Sequence, residues 1–240
     1  MAEQEIIKHV EAAIAVSRDR TKKWQHKLME ILLEVGIIVF AVSLSIWFHN
    51  WSESLKDRSE ARQFLIGLKE DLRGDSAEME GDLATYRMEL RGMRYFARVG
   101  NGEAPVTDSM RAYSNVLFSF VHFDPRISRF EALKGSGKLN IIENKDLLLH
   151  ITDLYTKVFP LISRRNDWAN AARQNFTTPY VMQHLQMDKS GRGTNWLEIL
   201  QSTPIRFWMQ SESVQNNIEA YADGIRSVGV LLKEIDDALK

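Results

Sequence analysis

The chain has 240 residues, 44% hydrophobic and 26% charged, with a net charge near −1 and a mean hydropathy of −0.29. Thirteen glycines and five prolines are few for this length, which disfavours a many-turned β-sandwich and favours helices. With no cysteine, a disulfide framework, thiolate chemistry and Cys-ligated zinc are excluded.

Residues 3–17 carry Ile6, Ile7, Val10 and Ile14 at helical spacing. Glu3, Glu5, Glu11 and Lys8 make this stripe acidic, so it suits a partner or a second copy better than anionic lipid. A basic stretch follows, with Arg18, Arg20, Lys22, Lys23 and Lys27 opposed only by Asp19. It reads as a topology determinant and closes an N-terminal segment at residue 27.

Leu28–Phe48 is strongly apolar, and Val35–Phe48 is free of charge. A hydrocarbon core of about 30 Å needs about 20 helical residues. Ile31–Trp51 supplies them if Glu34 lies near one face. Trp47 and Trp51 sit where aromatic rings favour the headgroup boundary. A transmembrane helix over 28–51 is therefore expected, held as an uncleaved signal anchor. The alternatives are a buried core helix, which Glu30 and Glu34 keep open, and a cleaved signal peptide. The latter would need an n-region of about 27 residues. The basic flank places the N-terminus in the cytoplasm. Residues 52–240 would then lie in the periplasm, beyond the inner (cytoplasmic) membrane of a bacterium.

Glu34 is the candidate functional residue of this region. A carboxylate at mid-bilayer is costly and can mark an ion or proton path facing a partner helix. It can also snorkel toward the basic flank.

Beyond Trp51, the spacing of Leu65, Leu68, Leu72, Met79, Leu83, Tyr86, Leu90, Met93 and Ala97 predicts a continued helix. Asp75 falls at an apolar place beside Gly74 and Gly81, which predicts a stutter or kink. Residues 101–105 are a loop. Met110, Tyr113, Leu117, Phe120 and Val121 form a helical stripe ending at Asp124-Pro125, with a strand over Val116–Phe123 as the alternative. A short helix over Arg126–Lys134 closes at Gly135. Asn144 caps a helix over Lys145–Phe159. Pro160 kinks or restarts that helix, which runs on through Trp168, Ala172 and Phe176. Pro179 opens another short helix, and 188–194 is a second loop. Val214, Ile218, Tyr221, Ile225, Val228, Leu232, Ile235 and Leu239 then mark an apolar seam with alternating steps of four and three. Its expected partner is the helix 55–98, lying antiparallel. The fold class is all-α: a single transmembrane helix followed by an extramembrane helical bundle with coiled-coil-like seams over 52–240.

Templates for chemistry are absent from the sequence. No two of the six histidines have the spacing of a metal pair, and His150 and His184 are expected on bundle surfaces. Gly135-Ser136-Gly137-Lys138 lacks the flanking residues of a phosphate loop, because Ala132 and Leu139 occupy the key places. Asp71 with Asp75, and Asp236 with Asp237, are read as solvated carboxylates. Residues 52–240 have the same net charge as the whole chain and show no basic stripe, which disfavours nucleic acid. No catalytic, cofactor-binding or metal-ligating residue is assigned.

Two stretches, EILLEVGIIVFAVSLSIWFHNWSE (Glu30–Glu53) followed by FLIGLKEDL (Phe64–Leu72), and FEALKGSGKLNIIENKDL (Phe130–Leu147), together resemble a bacterial family of uncharacterised single-pass membrane proteins. Its span ends in N-W-x-E, and its internal signature is E-x-L-K-x-S-G-x-L-x-x-I-x-N. The chain departs from that pattern in having Glu34 at an aliphatic place and a longer N-terminal segment. The resemblance implies one span, a helical outer domain and no activity to carry over. It draws attention to Ser136 and Gly137, taken as a turn that ends one helix and aims the next, with a ligand- or partner-contact loop as the alternative. The expected function is a membrane-anchored helical interaction module, a scaffold or sensor subunit. Its partners would be the lipid bilayer and a second copy or another membrane protein. The competing reading is a subunit of an ion-conducting or energy-coupled membrane complex using Glu34. A hydrolase with an unrecognised site is a third class.

Overall fold

A computed structural model describes residues 2–240, with the side chains of residues 24, 28, 29 and 31–240. The expectations for Ile6, Ile7, Val10, Ile14, the basic flank and Glu30 concern side chains outside the described residues. Nine α-helices follow one another without a strand among the described residues, so the fold is all-α. The chain divides into two compact units, Met1–Ser59 and Glu60–Lys240. Helix α1 (Ala2–Gly100) contributes to both.

In the first unit every described residue from Ile31 to Lys56 is exposed. The large apolar side chains from Ile31 to Trp51 are 41–67% exposed, and α1 here is long and apolar enough to cross a membrane. A core helix would bury this face, so the chain itself provides no such core. Trp47 and Trp51 stack with ring centroids 6.1 Å apart, and Phe48 meets Trp47 edge-on.

The second unit is built around residues 60–100 of α1. Leu65, Leu68, Leu72, Met79, Leu83, Tyr86, Met93 and Phe96 face inward, as a helix-period pattern requires. The α-helix is uninterrupted, and Asp75 occupies the inner position itself, fully buried. One turn before the C-terminal part, Glu89 is buried where Leu90 was expected, and Leu90 is only partly covered.

Helix α2 (Ser109–Ser114) and a 3-10 turn over Asn115–Leu117 are shorter than the predicted stripe. Residues 118–127 are neither helix nor strand, with Val121 and Phe123 buried and Phe120 exposed. Helix α3 (Ser128–Gly135) and a 3-10 turn over Leu139–Ile141 lead to α4 (Lys145–Asp153). Asn144 caps α4 as expected, its side chain accepting from the N–H groups of Asp146 and Leu147.

Helices α4, α5 (Phe159–Ala172) and α6 (Thr178–His184) form one run joined by π turns at Leu154–Val158 and Arg173–Thr177. Each π turn ends two residues before a proline, Pro160 or Pro179. Proline lacks an N–H and its ring collides with the carbonyl four residues back. A wider turn at that place relieves the conflict without breaking the helix.

Helices α7 (Trp196–Gln201), α8 (Thr203–Gln210) and α9 (Ser213–Ala238) complete the unit. Helix α9 lies antiparallel to α1: Arg62 donates to the Leu239 carbonyl (2.7 Å), Lys69 pairs with Asp236, and Tyr221 donates to Asp82 (2.9 Å). Helix α9 also packs on α4 and α5. Its buried face therefore differs from the predicted seam: Val214, Tyr221, Val228 and Ile235 are buried and Ile218, Ile225, Leu232 and Leu239 only partly, while Asn217, Ala220, Gly224 and Leu231 are buried as well. Gly224 permits a close approach, since a Cβ there would lie 2.8 Å from Ile162 Cδ1 and 3.1 Å from Met79 Sδ.

Candidate functional site

Glu34 lies on α1 inside the exposed apolar stretch and is itself exposed. Ser136 and Gly137 close α3. The Ser136 N–H donates to Ala132 O (3.1 Å), its hydroxyl to Leu133 O (2.8 Å), and the Gly137 N–H to Lys134 O (3.1 Å). Gly137 has φ +72°, the left-handed conformation that ends a helix most cheaply in glycine. Glu34 and this turn belong to different units of the chain.

Polar residues converge instead inside the second unit. Arg126 donates from Nη1 (2.7 Å) and from its backbone N–H (3.2 Å) to Asp75 Oδ1, while Asp75 Oδ2 is buried without a partner. The carboxylate read as solvated is thus buried and paired. Gly74 makes the room, because a Cβ there would stand 2.7 Å from the Arg126 guanidinium carbon. Gly67 does the same for Arg129, which binds Asp71 at 2.8 Å.

The second cluster centres on Arg173, which forms a fully buried ion pair with Glu89. Its Nη1 donates to the Ser119 carbonyl (2.7 Å). Asn170 donates to the Val121 carbonyl (2.8 Å), and Glu78 accepts the Asp124 N–H (3.1 Å). Thr178 donates to the Leu117 carbonyl (3.1 Å). These side chains serve the backbone of residues 117–126 as a neighbouring strand would, which lets an extended segment lie in a helical core. A third network runs from Asp82 through Tyr221 and Asn166 to Tyr86, with the bonds at 2.9, 2.7 and 2.9 Å. Burial pushes the hydroxyls of Tyr86 and Tyr221 well above their ordinary range.

Burial also raises the carboxyls of Asp75, Asp82 and Glu89, against the opposing pull of Arg126, the Tyr221 hydroxyl and Arg173. The Glu234 carboxylate, 2.8 Å away, raises His150 on the surface. Each of the four groups holds its proton more tightly in the folded chain than in the unfolded one. Their contributions to stability are complete below the unfolded values, 3.8 for Asp, 4.5 for Glu and 6.5 for His. They are lost as pH rises through the raised folded values. Asp188 and Asp236 are lowered by hydrogen bonds from Ser190 and Lys69 and act oppositely, losing stability as pH falls through their folded values. Both are on the surface, where screening weakens the effect. The melting temperature of the full chain in detergent is therefore expected to rise as pH is lowered toward the unfolded carboxyl values. Circular dichroism melts that stay flat or fall on acidification would contradict the assignment of these buried carboxyls.

The run through Trp168, Ala172 and Phe176 turns a different face inward. Ile162, Asn166, Ala169, Asn170, Arg173 and Thr177 are buried, while Trp168 and Phe176 are 60% and 68% exposed. With α8 and the first turn of α9 they border an open groove. One part, about 530 Å³, is lined by Trp168, Ala172, Phe176, Pro204, Phe207 and Trp208, with Arg173 contributing to the lining. The adjoining part, about 490 Å³, is bordered by Trp168 and by the polar residues Arg164, Arg165, Glu212, Ser213, Asn216 and Asn217. Trp168 and Ser213 border both parts.

Among the described residues no three His, Asp or Glu side chains are placed to share a metal ion. The groove escaped the sequence reading, although the outward aromatic spacing Trp168–Phe176 and the buried polar pair Asn166 and Asn170 on the other side of the helix were its available signal. Comparison with protein-family models, with curated proteins and with solved structures finds no match for this chain.

Proposed function

We propose that this chain is a membrane-anchored helical interaction module, a scaffold or sensor subunit with no catalytic step of its own. It would be held in a bacterial inner membrane by residues 28–51 and act through residues 52–240 in the periplasm. The observation that carries this reading is the continuous exposure of apolar side chains from Ile31 to Trp51, which a bilayer would cover. The five basic residues ahead of the span support a cytoplasmic N-terminus. Resemblance to the single-pass family points the same way. Charge balance over 52–240 favours a second copy or a membrane-protein partner over nucleic acid.

The test is chemical crosslinking in native membranes, followed by mass identification. Products at multiples of the 27.7 kDa chain, or a reproducible heteromeric product, are expected. Recovery of monomer alone would remove the interaction reading.

A second reading is favoured by one residue, the exposed Glu34 within the apolar stretch. As a proton or ion carboxylate in an energy-coupled complex, it would make Glu34→Gln and Glu34→Leu lose the crosslinked product or a growth phenotype. Variants that behave as wild type would leave only the anchor role.

A further inference from the structure

We propose that the groove bordered by α5, α8 and the start of α9 binds a single-chain amphiphilic anion, an acyl chain ending in a carboxylate or a phosphate. The inference needs only the groove and stands apart from the proposed partner-binding role. Its apolar part has the volume of a small-molecule site, commonly about 300–1,000 Å³. Trp168, Phe176 and Phe207 present aromatic faces that are 60–75% exposed, an apolar surface for a chain to cover.

The adjoining part supplies the head-group chemistry. Two guanidinium groups, Arg164 and Arg165, border it against one carboxylate, Glu212, so its charge favours an anion. Arg165 spends one nitrogen on the Asn216 carbonyl, while Arg164 stands exposed. Arg173, which contributes to the lining of the apolar part, keeps a buried Nε with no partner in the fold. Arg173 is only 1% exposed, so that unmade bond has a cost that an acceptor oxygen would relieve. Glu212 is the N-cap of the 26-residue α9 and makes no side-chain cap bond, so the first-turn N–H groups of α9 add to the positive potential. Apolar cover and acceptor oxygens are thus both called for, side by side. An amphiphilic anion provides both in one molecule.

The experiment uses the full chain in lipid nanodiscs and a 12-carbon fatty acid bearing a diazirine near its end. Photolabelled peptides are mapped by mass spectrometry, with empty nanodiscs absorbing non-specific partition. Label is expected on the peptides containing Trp168, Phe176 and Phe207, and excess laurate should compete it away. Dodecyl phosphate competing as well assigns the anionic head broadly; laurate alone restricts it to carboxylates. Competition by dodecanol as strong as by laurate would remove the charged half, and competition by inorganic phosphate alone would reduce the site to an ion site; either overturns the proposal. Arg164→Ala is expected to lower labelling about tenfold, in line with loss of a charge-assisted bond. Phe207→Glu, at a position 75% exposed where folding does not depend on the ring, should abolish it with an unchanged circular dichroism spectrum. No label above that of the remaining surface, or a crosslink joining the grooves of two chains in its place, would also overturn it.

Discussion

Arg173→Met is expected to destabilise the helical unit 60–240 by about 3–5 kcal/mol, the usual loss when one partner of a buried ion pair is removed. Arg173 and Glu89 are each 1% exposed, and the same guanidinium serves the Ser119 carbonyl on the extended segment. Methionine matches much of the length of arginine but leaves a charged carboxylate in the core and a backbone acceptor unpaired. For a unit of this size, about 2–4 °C is lost per kcal/mol, so the melting temperature should fall by about 6–20 °C.

The loss should depend on pH. Burial already pushes the Glu89 carboxyl up, and without Arg173 nothing opposes that push, so the carboxyl takes a proton more readily. The variant should therefore lie closer to wild type at pH 5 than at pH 8. The double change Glu89→Leu with Arg173→Met removes the stranded charge and should recover much of the loss, though the Ser119 carbonyl stays unpaired. A double-mutant cycle on urea melts isolates the coupling. A single variant within 1 kcal/mol of wild type at pH 8 would show that the pair does not hold the extended segment.

Where local rules act alone, the sequence was readable. The inner positions of α1 from Leu65 to Leu72, the Asn144 cap and the seven-residue series Val214, Tyr221, Val228, Ile235 follow from apolar period and capping chemistry. The failures share one cause. Asp75, Glu89, Asn166, Asn170 and Arg173 are polar residues at inner positions, and their partners lie 49 to 84 residues away in sequence. Carboxylates at such places are read as solvated, as Asp71 and Asp75 were, even where the apolar period runs through one of them. The same blindness hid the backbone of residues 118–127, whose extended form depends on side chains from α1 and the α5–α6 run. At Trp168 and Phe176 the apolar residues face outward, so the pattern that marks cores elsewhere marks an open groove here. Glu34 stood out because it interrupts an apolar run, and it is exposed among those side chains.

Residues 60–240 produced without the first 59 residues are expected to be soluble and helical, while the full chain stays in the membrane pellet after alkaline carbonate extraction. The large apolar side chains of Ile31–Trp51 find no cover within the chain, and each would gain about 1.5–3 kcal/mol on full burial. Summed over the stretch, that drive far exceeds the cost of Glu34, about 2.5–3.5 kcal/mol even at the bilayer centre. The compact unit Glu60–Lys240 owns the buried core, so it should fold without them. Retention and orientation can be separated because the chain has no cysteine and any introduced thiol is unique. Under a cytoplasmic N-terminus, Lys189→Cys in the exposed 188–194 loop should react with a membrane-impermeant maleimide in cells with a permeabilised outer membrane. Lys22→Cys should react only after lysis. The opposite pattern would reverse the orientation. A cleaved signal would instead release a chain lighter than the 27.7 kDa expected for the intact one, and carbonate would extract it. An intact mass in a carbonate-resistant pellet assigns Ile31–Trp51 as an anchor, because burial in lipid is then what satisfies a surface the fold leaves bare.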